Sequence, residues 1–97
     1  MSYESKLKNV ETDDLFKAVL LLKNEEECYR FFEDICTIKE LQAISQRFQV
    51  AKLLSSKKTY NEIEAITSAS TATISRVNRC LLYGADGYQL ILKRMKE

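Results

Sequence analysis

Apolar positions along this 97-residue chain recur at three- and four-residue intervals over most of its length, the pattern of amphipathic helices. The first such segment, Leu15 to about Lys23, is more than a stripe, because Lys17 is the only polar residue between Leu15 and Leu22. Thr12-Asp13-Asp14 just before it offers N-cap chemistry, with acidic groups suited to the positive end of a helix dipole. A surface helix on a small monomer needs one apolar stripe. A helix apolar nearly all round must be covered on two sides, and a chain this short has little material for that. The pattern therefore implies a second subunit at this helix. Residues 1–11, mixed in charge and polarity, read as frayed.

Asn24 marks the next boundary, followed by Glu25-Glu26-Glu27 in a first helical turn and a stripe of Cys28, Phe31, Phe32, Ile35 and Cys36. Thr37 with Glu40 forms a capping box for a long helix whose stripe is Leu41, Ile44, Phe48, Ala51 and Leu54. That helix ends near Ser55-Ser56-Lys57-Lys58. Thr59 with Glu62 is a second capping box and opens a short helix, and Ser70 or Thr71 starts another that runs through Leu82. Gly84 is placed to end it in a left-handed conformation. Asp86 is placed to cap a last helix carrying Tyr88, Leu90, Ile91, Leu92 and Met95, with Lys93, Arg94 and Lys96 near its negative end. The count is six helices.

Composition strengthens the all-α reading: the chain has no proline and two glycines, Gly84 and Gly87. Its length suits one domain with a modest core. The formal net charge is +1, unevenly divided. Residues 1–40 carry six Lys/Arg against ten Asp/Glu, and residues 41–97 carry nine against four. The three cysteines, Cys28, Cys36 and Cys80, all fall on predicted helices. With an odd number of thiols, no signal-like segment and no histidine, they read as reduced core thiols in a cytoplasmic protein, not as a disulfide framework or a metal site.

The segment Tyr60 to Arg79 carries the chemistry. Ile63 and Thr67 close its first helix inward, Ser68-Ala69-Ser70 makes the turn, and Ile74 and Val77 hold the second helix down. Ser70, Thr71, Ala72, Thr73, Ser75, Arg76 and Arg79 are then the residues available to a ligand. Small and hydroxylated groups at the helix start let a phosphate backbone approach, and two arginines one turn apart reach phosphates or guanine edges. This is the construction of a helix-turn-helix whose second helix lies in a major groove. The ordinary reading is a plain helical hairpin, favoured by Ser68 where such turns often carry glycine and by the negative Glu62 and Glu64. The motif does sit in the basic half of the chain, as an electrostatic footprint on DNA requires.

A family resemblance covers roughly Ile35 to Tyr83. Ser70-Thr71-Ala72-Thr73-Ile74-Ser75-Arg76 closely resembles the recognition helix of the tryptophan repressor superfamily, with its pattern Ala-Thr-Ile-Thr-Arg. Thr37, Glu40-Leu41-Gln42-Ala43-Ile44 and Gln46-Arg47-Phe48 are similar to that family's long central helix. About one residue is deleted between the blocks, near Ser55 to Lys58. Within the superfamily the pattern resembles the YerC/YecD-like group. The resemblance implies six helices in an intertwined homodimer, a single domain over 1–97. In it 12–56 are dimerisation helices, 59–83 the helix-turn-helix and 86–97 a C-terminal helix. The partners it implies are a second copy and double-stranded DNA, with no membrane.

It also implies a tryptophan pocket, onto which Thr37, Arg47 and Arg76 map. The family places a glycine directly after its second arginine, where this chain has Val77. Glycine there leaves a hole that an indole occupies, whereas valine fills much of it, and overpacking a core costs roughly 1–3 kcal/mol. The expectation is a closed, vestigial pocket, no cofactor, and DNA binding that does not require L-tryptophan. Without histidine, a phosphate-binding glycine loop or a nucleophile turn, an enzyme is not expected. The rival to a repressor-type transcriptional regulator is a helical homodimeric adaptor whose acidic first half docks a basic partner.

Overall fold

The computed structural model describes residues 3–97. Among them are six helices and no strand: α1 Val10–Val19, α2 Glu25–Ile35, α3 Ile38–Ser55, α4 Tyr60–Thr67, α5 Thr71–Tyr83 and α6 Gly87–Lys96. The chain divides into two compact units, Met1–Cys36 and Thr37–Glu97. The acidic excess falls in the first unit. The second carries ten Lys/Arg against five Asp/Glu.

In the first unit, α1 starts earlier than the sequence suggests. Asn9 takes the capping position and its side chain accepts the Thr12 N–H at 2.7 Å. Thr12-Asp13-Asp14 therefore lies inside the first turns, and Asp13 pairs with Lys8 at 2.7 Å. The frayed stretch expected over 1–11 thus already contains the cap and the first helical residues. The helix also stops sooner, at Val19. The Leu21 and Leu22 amides bond three residues back, to Ala18 and Val19, so the run Leu20–Leu22 is a tightened turn and not helix. α2 begins as expected, with the Asn24 side chain accepting the Glu27 N–H at 2.9 Å and three glutamates in the first turn. Phe31 and Phe32 pack edge to face, 5.5 Å between ring centroids.

In the second unit, α3 packs against α4, α5 and α6. The core is one cluster: Val50, Ala51, Ile63, Ala69, Ile74, Val77 and Leu92, with Phe48, Leu53, Leu54, Leu81 and Tyr88 against it. Ile63, Ile74 and Val77 meet there as expected. Of the expected α3 stripe, Ala51 is buried and Phe48 and Leu54 pack against the cluster, whereas Ile44 remains 44% exposed and Val50, which the stripe left out, is fully buried. Val50, Ala51 and Leu54 define the face that α4–α6 cover, and Arg47 begins it one turn earlier. The cysteines are not core thiols. Cys28 and Cys80 are exposed and Cys36 is half-buried, all three free.

The two capping boxes are complete. Thr37 and Thr59 each accept an N–H from the glutamate three residues on, at 3.1 and 3.2 Å, and each glutamate carboxylate accepts the threonine's N–H, at 2.8 Å in both. At the other helix ends the sequence reading needs two corrections. Gly84 is not left-handed (φ −86°, ψ −151°). Glycine is needed because its N–H bonds the Cys80 carbonyl oxygen, at 2.9 Å, and a Cβ there would overlap that same oxygen. Asp86 makes no capping hydrogen bond: it adopts a left-handed backbone, φ 65°, unlike the extended backbone at Asn9, Asn24, Thr37, Thr59 and Ser70.

Ile63→Ala should destabilise the fold by about 3 kcal/mol, from lost transfer energy and a cavity at the centre of the cluster. Urea unfolding of both proteins at one chain concentration measures it, and a change under about 1 kcal/mol would mean the cluster is not the core. The Thr59 backbone and then side-chain hydrogen bonds, with the nearby Lys58 charge, lower the Glu62 pKa below the ordinary glutamate value. A carboxylate with a depressed folded value contributes stability that is full above its unfolded value and is lost as pH falls through the folded one. An NMR titration should place the Glu62 midpoint below the ordinary range and move it part of the way back in Thr59→Ala. An identical midpoint in both proteins would refute the capping assignment.

Candidate nucleic-acid interface

The turn between α4 and α5 is built by a short relay of hydrogen bonds. The Thr67 hydroxyl donates to the Ile63 carbonyl at 2.8 Å and accepts the Ala69 N–H at 3.1 Å. Gln46 of α3 donates its side-chain amide to the Thr67 carbonyl at 3.1 Å, tying the end of α4 to the central helix. Ser68 then turns the chain through a left-handed conformation, φ 62°. That region costs a non-glycine residue about 1–2 kcal/mol, so the flanking contacts must hold it there. Ala69 follows, 1% exposed, its methyl lodged in the core cluster. Ser70 caps α5, accepting the Thr73 N–H and donating to the Thr73 hydroxyl, both at 3.1 Å.

From this start the faces of α5 sort at 3.6 residues per turn. Ile74 and Val77 are buried and Leu81 is half-buried, so Ala72, Arg76 and Arg79 lie on the opposite side, all exposed. Thr71 is exposed and Ser75 half-buried on the flank. Ser70 and Thr73 are placed differently from the rest. Both spend their hydroxyls on each other and on the cap, and Thr73 is half-buried. Tyr83, which the sequence reading passed over, stands on the arginine stripe, 83% exposed. Its spacing of four from Arg79 and seven from Arg76 was the available signal.

The chemistry of this face is that of an anion acceptor. The first amides of a helix have no partner within it and carry the positive end of its dipole. No acidic residue occupies the first turn of α5. Neither Arg76 nor Arg79 forms an ion pair among the described residues.

The four residues of the expected ligand pocket are differently engaged. Thr37 uses both its hydroxyl and its backbone N–H in the α3 cap. Arg47 is half-buried on α3 and forms no ion pair among the described residues. Arg76 is exposed. Val77, 1% exposed, is part of the core cluster. Among the described residues no three carboxylate or cysteine groups gather as a metal site would require, and no helix is long and apolar enough to cross a membrane.

Comparison with known proteins agrees with this architecture. The chain is 56% identical over 92 residues to the uncharacterized protein YerC of Bacillus subtilis (strain 168), covering 95% of this chain and 88% of that one. Two solved structures superpose closely, each 54% identical. One is a Staphylococcus aureus protein described as a candidate Trp repressor, with a TM-score of 0.90 over 94% of this chain and 91% of that one. The other is a TrpR-like protein from Eubacterium eligens, with a TM-score of 0.91 over 94% of each. The Trp repressor protein family profile matches residues 10–96. With its six helices, its relatives and that match together, the chain belongs to the Trp repressor family, in a group that includes YerC.

Proposed function

We propose that this chain is a sequence-specific DNA-binding transcriptional regulator that works as a homodimer and does not require tryptophan. The observation that carries the reading is α5 itself. Ile74 and Val77 fix it from below, and its exposed side presents Thr71, Ala72, Arg76 and Arg79 on the basic unit of the chain. In this reading α4, the turn and α5 act as a helix-turn-helix. The short residues at the α5 start admit the DNA backbone, and the arginines reach phosphates or guanine edges in the major groove. Ser70 and Thr73 serve by shaping the helix start, with Ser75 at the flank.

Dimerisation is supported by apolar surface. Neither α1 nor α2 has a fully buried residue, and Val10, Phe16, Leu20 (83% exposed), Leu21 and Ile35 stand in solvent in the single chain. Apolar area of this extent marks an interaction surface. A second copy would cover it and set two α5 helices against half-sites one helical turn apart. Independence from tryptophan is supported by Val77, which occupies the position from which an indole would otherwise complete the core.

DNA selected from a random pool should bind in fluorescence anisotropy with affinity falling steeply with salt, the log–log slope near −0.9 for each phosphate contacted. Arg76→Ala and Arg79→Ala should each weaken binding by about 1–3 kcal/mol. If no sequence is retained even at low salt, the protein is an adaptor and its acidic unit becomes the surface to study. Calorimetry with L-tryptophan should give no saturable heat at micromolar concentration, and excess tryptophan should leave DNA affinity unchanged. Saturable micromolar binding would show that Val77 does not close the pocket.

A further inference from the structure

A cleft of about 420 Å³ opens in the second unit where the end of α3, one flank of α5 and α6 come together. Leu54, Leu81 and Leu92 form its floor, Asn78 stands on its wall, and Lys57, Lys93 and Lys96 stand exposed around it. This size suits a small organic ligand, and an apolar floor with a few polar groups is the usual composition of such sites. The cleft uses a different side of α5 from the Ala72–Arg76–Arg79 stripe. It shares no residue with Thr37, Arg47, Arg76 and Val77.

The charge on this cleft is one-sided. None of its lining residues is acidic, and among the described residues none of the three lysines forms an ion pair. The helix dipole accounts for Lys93 and Lys96 near the C-terminus of α6. It accounts equally for Lys57, which lies just past the C-terminus of α3, where its left-handed backbone at φ 67° ends that helix, so two separate helix ends bring their lysines to one cleft. Three exposed positive charges around one volume, with no acidic residue in its lining, make it a favourable place for an anion. The leucines add a second requirement, because a bare inorganic ion leaves their apolar surface wet.

We propose that the cleft binds a small organic phosphate, with the phosphoryl oxygens held by Lys57, Lys93 and Lys96 and the organic group laid over Leu54, Leu81 and Leu92. The lysine ammonium groups supply charge-assisted hydrogen bonds, and the Asn78 amide supplies a neutral one. This site does not depend on the DNA-binding reading.

The probes are phenyl phosphate and inorganic phosphate, titrated into the full-length protein at about 0.15 M ionic strength and followed by amide NMR shifts. Phenyl phosphate should give saturable shifts centred on Lys57, Asn78, Leu82 and Lys93, and should bind about tenfold more tightly than inorganic phosphate. The double substitution Lys93→Gln, Lys96→Gln changes exposed residues only and should lower phenyl phosphate affinity by at least about tenfold. Lys39→Gln, which removes one positive charge elsewhere on α3, should leave it unchanged. Equal affinity for the two probes would reduce the site to a nonspecific ion atmosphere. Shifts spread over lysines outside the cleft, or full binding by the double variant, would overturn the assignment.

Discussion

The second unit depends on where α5 is pinned. Ile63 from α4, Ala69 from the turn, Ile74 and Val77 from α5, Val50 and Ala51 from α3 and Leu92 from α6 close into one cluster. Each fully buried aliphatic side chain contributes about 1.5–3 kcal/mol, so three or four of them are comparable with the whole net stability of a small domain. This core has no residues to spare. It is also small enough that every member touches the geometry of the turn. Ala69 must be small to sit there. The strained Ser68 is held because Thr67 is bonded on one side to Ile63 and, through its carbonyl, on the other to Gln46. The angle at which α5 leaves the turn is a property of this cluster.

Much of that arrangement was legible in the sequence, for a physical reason. Helix starts are decided locally: Asn24, Thr37, Thr59 and Ser70 each accept an amide from the residue three positions on, and a reader can count to three. Local chemistry misled at the start of α1. The cap was read at Thr12-Asp13-Asp14, whereas Asn9, three residues before Thr12 and passed over, is the residue that accepts the Thr12 amide. Helix ends are less readable, because they depend on where the chain goes next. The leucines after Val19 continue a helical pattern without continuing the helix. Gly84 and Asp86 looked like ordinary caps, but one is required by a carbonyl contact and the other bends the backbone without capping. The covered edge of α3 was out of reach for a different reason. Ile44 and Val50 both border the stripe of Phe48, Ala51 and Leu54, and only the positions of α4–α6 decide that Val50 is covered and Ile44 is not. On α5, spacing alone sorted Arg76 and Arg79 outward and Val77 inward, while the mutual capping of Ser70 and Thr73 needed coordinates.

The division of charge and the division of structure coincide. The first unit is acidic and keeps its large apolar groups in solvent. The second is basic and has the only closed core among the described residues. These properties suit different partners. An apolar surface is covered by matching surface, and in the proposed homodimer a second copy of the same chain would supply it with symmetry included. A basic surface with no ion pairs at Arg76 and Arg79 suits a polyanion. An acidic unit and a basic one in the same chain also keep net charge near neutral, which limits nonspecific attraction to polyanions.

If α5 reads DNA as proposed, Val77 bears on how that reading is controlled. When a core contains a hole that a ligand must fill, the correctly angled helix is a minor state without it, and apparent DNA affinity is reduced by that fraction. A valine methyl pair in the same place completes the core from within the chain. On the proposed reading the competent state would need no ligand, and a ligand directed at that position would have no differential affinity to exploit. Control of such a head would then act on the same core from another side. Leu54 and Leu81 pack against the cluster and Leu92 belongs to it, and these three also floor the lysine-lined cleft. An occupant of that cleft would touch the residues that set α5 without displacing Val77. On the proposed reading, the valine that closes one route to α5 would leave the lysine-lined end of the same core as another.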